Sequence, residues 1–113
     1  MTPLIEAQGR VEWWSYTVSH GQLLLRRPKA PSHPRRLDIL FKDVVEAHMV
    51  SFFDNLRVVE AGPEEATMVT IVPVGGHRLY RLIGDNATGH VVAGAVAFAE
   101  DDKEYDEPSG LIL

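Results

Sequence analysis

The strictest constraint on the fold is a two-residue alternation in the stretch 35–51, RRLDILFKDVVEAHMVS. The apolar odd positions are Leu37, Ile39, Phe41, Val45, Ala47 and Met49. The even positions mix charged and apolar side chains. Because successive side chains of a strand point to opposite faces of a sheet, this pattern predicts a strand with one apolar face and one mixed face. We predict a long central strand, bent or bulged at Lys42–Asp43, around which the other strands are laid.

A tight hairpin at Lys42–Asp43 is an alternative interpretation of the same residues. It would place Ile39 roughly opposite Glu46, an apolar side chain opposite a charged one. The alternation fits that pairing less well than it fits one bent strand.

Short strands separated by turn residues follow along the rest of the chain. His20–Gly21 lies between 10–19 and 22–27, two segments with strand composition, and predicts a hairpin. Gly75–Gly76 predicts a second hairpin, between 67–74 and 77–83, in which Ile71 faces Tyr80 and Val69 faces Leu82. The remaining predicted strands are 57–61, after a turn at Asp54–Asn55, and 90–99.

These elements define the predicted fold class. About seven short strands, with at most one short helix near 51–56 or 63–66, predict a mainly β protein. The architecture is then an antiparallel sandwich or a small partly open barrel. Residues 1–113 are predicted to form a single domain, in which 100–113 is an acidic C-terminal tail that can be flexible.

Composition limits the classes of function. The chain has no cysteine, which excludes disulfides and thiolate chemistry, and its net charge of −5 argues against general nucleic-acid binding. No signal peptide is visible and no apolar run is long enough to span a bilayer, so we expect a cytoplasmic protein without a membrane partner. The phosphate-binding motifs G-x-x-x-x-G-K and G-x-G-x-x-G do not occur, and we expect no cofactor.

Two charged segments are candidate binding sites. Five cations fall within eleven residues of one segment: Arg26, Arg27, Lys29, Arg35 and Arg36. They could hold a phosphate or an acidic partner, or they could be a solvated loop that protects a sheet edge. The acidic segment 100–107 surrounds Tyr105 and is too irregular for a calcium loop. It could dock a basic partner, fold against the region 26–36 of the same chain, or stay a solvated tail.

The mixed face of the predicted central strand carries a third candidate site. Glu46 and His48 lie two residues apart and share that face, together with Asp38 if the strand is continuous. Such a group could bind zinc or a small ligand, or act in hydrolysis, and surface polarity explains it equally well. No histidine belongs to a paired-ligand motif, so these three are weak metal candidates and we name no catalytic residue.

Three aromatic residues, Trp13, Trp14 and Tyr16, crowd one predicted strand. In a regular strand Trp13 takes one face and Trp14 and Tyr16 take the other, so the three cannot all enter one core. At least one of them should pack under a loop or remain exposed, and an exposed indole is a suitable anchor for an interface.

A resemblance to known proteins points in the same direction. The strings Tyr16-Thr17-Val18-Ser19-His20, Leu23-Leu24-Leu25-Arg26 and Asp38-Ile39-Leu40-Phe41-Lys42-Asp43-Val44 resemble small uncharacterised bacterial β proteins. Some of these are grouped with immunity proteins, which neutralise toxins by covering them. The resemblance implies a non-catalytic protein that acts through a surface.

The sequence therefore predicts a non-enzymatic protein-interaction domain, which binds a second copy of itself or a partner such as a toxin. The alternative is a small-ligand, metal or hydrolytic site on the mixed face, built from Asp38, Glu46 and His48.

Overall fold

The computed structural model describes residues 3–61 and 75–111. Within these ranges the chain forms eight β-strands and one 3-10 turn, Ser19–Gly21. The strands are β1 (Ile5–Thr17), β2 (Gln22–Arg27), β3 (Arg36–Lys42), β4 (Glu46–His48), β5 (Phe52–Glu60), β6 (Arg78–Ile83), β7 (Thr88–Ala93) and β8 (Ala95–Asp101). The prediction of a mainly β fold is confirmed.

All eight strands belong to one antiparallel sheet with the order β4-β7-β6-β5-β1-β2-β3-β8. Gly94 alone joins β7, second in this order, to β8, which is last. The two ends of the sheet must therefore lie close together, and the sheet is curled. It does not close into a barrel, because β4 and β8 each pair with one described strand only.

The core lies on the concave face of the curled sheet. It forms one apolar cluster that takes residues from β1, β2, β3, β5, β6 and β7. Ile39 and Phe41 are fully buried at its centre, and the Phe41 ring lies 5.6 Å from the ring of Tyr80 across the sheet. One face of one curled sheet thus supplies the core, as in a partly open barrel rather than a sandwich.

The stretch 35–51 is bent where the sequence predicts it. β3 ends at Lys42, Asp43 takes a left-handed conformation with φ 55°, and β4 begins at Glu46. The alternative hairpin is wrong, because Ile39 pairs with Leu25 and Phe98. The predicted central position is also wrong: β3 is next to last in the sheet and β4 is first.

Two strand boundaries differ from the prediction. Asp54–Asn55 lies inside β5 and does not end a strand, although Asn55 has the positive φ (54°) that its turn propensity indicates. Its side-chain oxygen accepts a hydrogen bond of 2.8 Å from the Gly9 amide, where the register of β1 shifts. The predicted strand 90–99 is divided at Gly94 into β7 and β8.

The Gly75–Gly76 hairpin is only partly within the described residues. Its first strand, 67–74, and the helix considered at 63–66 lie outside them. Within the described residues, Tyr80 and Leu82 of β6 each have a strand partner on both sides. Tyr80 pairs with Glu60 and Val91, and Leu82 pairs with Val58 and Gly89. The predicted partners of these two residues, Ile71 and Val69, lie outside the described residues.

Candidate functional site

A buried ion pair lies on the convex face of the sheet, between β2 and β3. Arg26 and Asp38 are opposite each other in the ladder, and each is about 99% buried. Arg26 Nε and Nη2 donate to the two carboxylate oxygens of Asp38, at 2.7 and 3.1 Å. This bidentate geometry gives both carboxylate oxygens a hydrogen bond and offsets the desolvation cost of burying the two charges.

A second buried arginine extends this pair into a network. Arg36 Nη2 lies 3.5 Å from Asp38 Oδ2 and donates to Asp101 Oδ2 at 3.0 Å. Its Nη1 donates to main-chain carbonyls of the segment after β8: those of Glu104 at 2.8 Å and Glu107 at 2.6 Å. We call this segment, residues 102–111, the C-terminal strap.

The strap is held mainly by its backbone. Arg26 Nη1 donates to the Tyr105 carbonyl at 2.7 Å, and Lys29 Nζ donates to the Asp102 carbonyl at 2.6 Å. The acidic segment thus folds against the region 26–36 of its own chain, one of the outcomes that its charge suggests. Carbonyl oxygens rather than carboxylates supply most of the contacts, since Glu104 alone adds a side-chain ion pair to the described part of the chain, with Lys29 at 3.0 Å.

Asp101 has a perturbed pKa because of this network. Burial opposes ionisation of its carboxyl group. The hydrogen bond from Arg36, the amide of Lys103 and the charges of both residues outweigh that effect and hold the pKa of Asp101 below its ordinary value. The carboxylate is therefore charged at neutral pH and helps to neutralise the buried guanidinium groups.

The five predicted anion-binding cations are divided by this arrangement. Arg26 and Arg36 are buried beneath the strap and use their donors within the chain. Lys29 is bonded to the strap, and Arg27 donates to the carbonyls of Gln8 and Arg35. Arg35 remains half exposed, within 3.7 Å of Glu100. The cluster thus acts first as the anchor of the C-terminal segment.

The three residues of the mixed face are not brought together. Asp38 lies on β3 and is bound to Arg26 of β2, whereas Glu46 and His48 lie on β4, beyond the bend at Asp43. No group of three metal-ligating side chains occurs within 3–61 and 75–111. Glu46 and His48 do share a face, as predicted.

His90 of β7 completes a different group, which sequence reasoning missed. It is buried, its Nε2 lies 2.8 Å from Glu46 Oε2, and its ring is 5.5 Å from that of His48. The group depends on the β4–β7 register, in which His48 is opposite His90. No local signal in the sequence marks that register.

A β-bulge separates the three aromatic residues. The register of β1 with β2 shifts between Trp13 and Ser15, which leaves Trp14 as the extra residue. Trp13 is opposite Leu25 and Tyr16 is opposite Leu23, two core residues, so both aromatic side chains lie on the concave side. The prediction that Tyr16 shares a face with Trp14 is wrong because of this bulge.

Trp14 packs on the convex side. Its ring lies 4.9 Å from the guanidinium carbon of Arg26 and meets the Tyr105 ring edge-on at 6.2 Å. A cavity of about 260 Å³ remains between Trp14, Leu24 and strap residues 106–109. This indole therefore stabilises the seat of the strap, as the prediction of packing under a loop allows.

Trp13 and Tyr16 are left at the open end of the curled sheet. The pairing of β1 with β5 stops at Glu12 opposite Phe52, and the last bond on that side runs from the Trp13 amide to the Ser51 carbonyl at 2.9 Å. Beyond that bond, β2 is the only strand among the described residues that pairs with β1. Both side chains are 46% exposed, and Val18 beyond them is 85% exposed. We call Trp13, Tyr16 and Val18 the aromatic end.

Comparison with known proteins gives no relative: no protein-family model, curated protein or solved structure matches the chain. Among the described residues, no helix has the length and apolar character needed to cross a membrane.

Proposed function

We propose that this chain is a non-enzymatic protein-interaction domain that binds its partner through the aromatic end. The observation that carries the proposal is the exposure of Trp13 and Tyr16 on one side of a single strand, beyond the last residue that pairs with β5. Large rings left in solvent lose the favourable free energy of burial, and a partner that covers them recovers it.

The bulge in β1 supports this role. In a regular strand, Tyr16 would lie on the convex side with Trp14, and Trp13 would be isolated. The extra residue brings Tyr16 to the same side of β1 as Trp13, so that both aromatic side chains face the same way. Bulges commonly re-aim side chains at functional positions.

A basic partner fits the charge of the chain. The net charge of −5 favours the approach of a positively charged protein and disfavours nucleic acid. In the immunity-type version of this proposal, the partner is a toxin whose active surface is covered by the domain. Finding a toxin gene beside the gene for this chain would support that version.

Affinity capture with matched variants tests the proposal. Wild type, the double variant Trp13→Ala/Tyr16→Ala, and Leu4→Ala are immobilised and exposed to an extract of the cells that make the protein. Leu4 is an exposed apolar residue just before β1, at the opposite end of that strand from Tyr16, and serves as the control. We expect a protein that wild type and Leu4→Ala retain and the double variant loses.

The captured protein is then purified and titrated calorimetrically. Binding to the double variant should be at least tenfold weaker than binding to wild type, because hot-spot aromatic residues each contribute about 2 kcal/mol or more. Identical sets of captured proteins for all three baits contradict the proposal.

A ligand site at Glu46, His48 and His90 is the second candidate function. The close Glu46–His90 contact and the adjacent His48 ring favour it. The separation of Asp38 from this group removes one of its predicted members. A screen of small metabolites by thermal shift tests it, since a ligand bound only by the folded state raises the melting temperature.

A further inference from the structure

Several strand edges have no strand partner among the described residues, and they differ in how well they are protected. β4 is only three residues long and polar. The end of β1 beyond Glu12 is interrupted by its bulge. Short length and bulges are the usual means by which proteins prevent strands from pairing with another chain. β8 has neither.

β8 is a long, regular and apolar edge. It pairs with β3 from Arg36 opposite Asp101 to Lys42 opposite Ala95 without a shift in register. Its first five residues are Ala95-Val96-Ala97-Phe98-Ala99, with no proline, lysine or glycine among them. Phe98 is 56% exposed. An edge of this kind offers unpaired main-chain donors and acceptors beside an exposed ring.

We propose that β8 pairs antiparallel with β8 of a second copy of this chain, about a two-fold axis at Ala97. The pairing joins two curled sheets edge to edge. It uses a surface separate from the aromatic end and does not depend on the proposed function.

The two-fold axis follows from the faces of the strand. An antiparallel pair related by an axis perpendicular to the sheet keeps the concave sides of both copies on the same side, so only residues of the same face can be opposite each other. With the axis at Ala97, Phe98 of each copy lies opposite Val96 of the other. On the convex side, Ala95 lies opposite Ala99 and Ala97 opposite itself.

Charge favours the antiparallel register centred on Ala97 over an axis at Phe98 and over parallel pairing. Each Glu100 falls opposite a Gly94, which has no side chain, so the acidic ends of the two strands lie at opposite ends of the pair. An axis at Phe98 would place Glu100 opposite Val96, a charge against an apolar side chain. Parallel pairing would bring Glu100 and Asp101 of both copies side by side, where like charges repel. A second copy therefore complements β8 along its whole apolar length.

Single-cysteine variants test the register, because the natural chain has no cysteine. At an axis on Ala97, the two Ala97→Cys residues have Cα atoms about 5 Å apart, within the range of a disulfide. The matched control Glu100→Cys places its two cysteines roughly 20 Å apart along the strands. Mild oxidation should join Ala97→Cys chains and leave Glu100→Cys chains single. Equal cross-linking at the two positions overturns the register.

Phe98→Lys tests the edge itself. Sedimentation over a range of concentrations should show wild type passing from monomer to dimer, and Phe98→Lys remaining monomeric, because a lysine at an edge opposes strand pairing. Val18→Lys introduces the same charge at an exposed apolar site of the aromatic end and should dimerise as wild type does. Circular dichroism shows that each variant is folded. A wild type that stays monomeric at every concentration, or a dimer that Phe98→Lys leaves intact, overturns the proposal.

Discussion

At the scale of single residues, the carboxylate of Asp38 compensates the charges of two buried arginines. Arg26 makes a bidentate pair with it, and Arg36 approaches the same carboxylate at 3.5 Å. Both arginines are almost fully buried. Ion pairs of this kind add little net stability compared with an apolar core, but loss of one member is costly because it leaves an uncompensated buried charge.

We expect Asp38→Ala to destabilise the fold by about 3–5 kcal/mol. The reason is that Arg26 loses both of its carboxylate bonds within a buried site. Urea denaturation followed by fluorescence measures the change. The control is Glu12→Ala, which removes an exposed ion pair with Arg10 and should cost less than about 1 kcal/mol. Equal losses in the two variants would show that burial of the pair is unimportant.

A second residue-scale prediction concerns Asp101. Since its pKa is below the ordinary value of 3.8, the ionised carboxylate stabilises the folded state. That contribution is complete above about pH 4 and disappears as the pH falls through the lowered pKa. Asp101→Asn should therefore be less stable than wild type at pH 7, by about 1 kcal/mol, and the difference should shrink as the pH falls below about 4.

Denaturation at a series of pH values measures this difference, and Asp102→Asn is its control. The next carboxylate along the chain makes no ion pair within the described residues; only its main-chain oxygen is bonded, to Lys29. The control should follow wild type throughout. A stability difference for Asp101→Asn that does not change with pH would contradict the assignment.

At the scale of elements, the short strand β4 can pair with β7 because position 89 of β7 is a glycine. A Cβ atom added to Gly89 would lie 2.5 Å from the carbonyl oxygen of His48 and 3.2 Å from Cα of Met49. Both are backbone atoms, so the ladder between β4 and β7 must shift to admit it. The Glu46–His90 contact lies in the same ladder.

We expect Gly89→Ala to destabilise the protein by about 1–3 kcal/mol, the usual cost of overpacking. Thermal denaturation checks this value. The matched control is Gly76→Ala, where the added atom meets nothing within 4 Å and the stability should be almost unchanged. An unchanged melting temperature for Gly89→Ala would mean that β4 can move away from β7 without a loss of stability.

The elements also show which features of the fold the sequence could predict. Alternation identified the bent segment 35–51, because Leu37, Ile39 and Phe41 alternate along the strand and are buried in the core. It did not indicate that Asp38 is buried on the other face, or that Val45 is exposed. The turn predicted at Asp54–Asn55 is wrong, because the positive φ of Asn55 serves a turn or a bulge equally well and the partner strand decides between them. The bulge at Trp14 was not predictable for the same reason, since it is a property of the β1–β2 register.

At the scale of the whole molecule, the candidate site was harder to predict than the fold. Arg26, Arg36 and Asp38 appear in the sequence as surface charges, and only the placement of the strap buries them. The strap is bound through carbonyl oxygens, which every residue possesses, so no motif can mark it. His90 joins Glu46 across the sheet at a separation of 44 residues, through a register that local pattern does not specify.

The curled sheet gives the molecule two separate surfaces for contact. The aromatic end lies where β1 extends beyond its pairing with β5, and the β8 edge lies on the last strand of the sheet. A dimer formed through β8 would present two aromatic ends. The domain could then hold two partners at once, and linked binding of this kind raises the effective affinity for a partner that is itself repeated.

Attachment through main-chain oxygens makes the C-terminal strap tolerant of sequence change. Any residue that keeps the backbone path supplies the same acceptors to Arg26 and Arg36, so the exposed side chain of Asp106 is exchangeable. The segment is thus a ready position for grafting a recognition peptide or a label, with the arginines beneath it holding the insert in place.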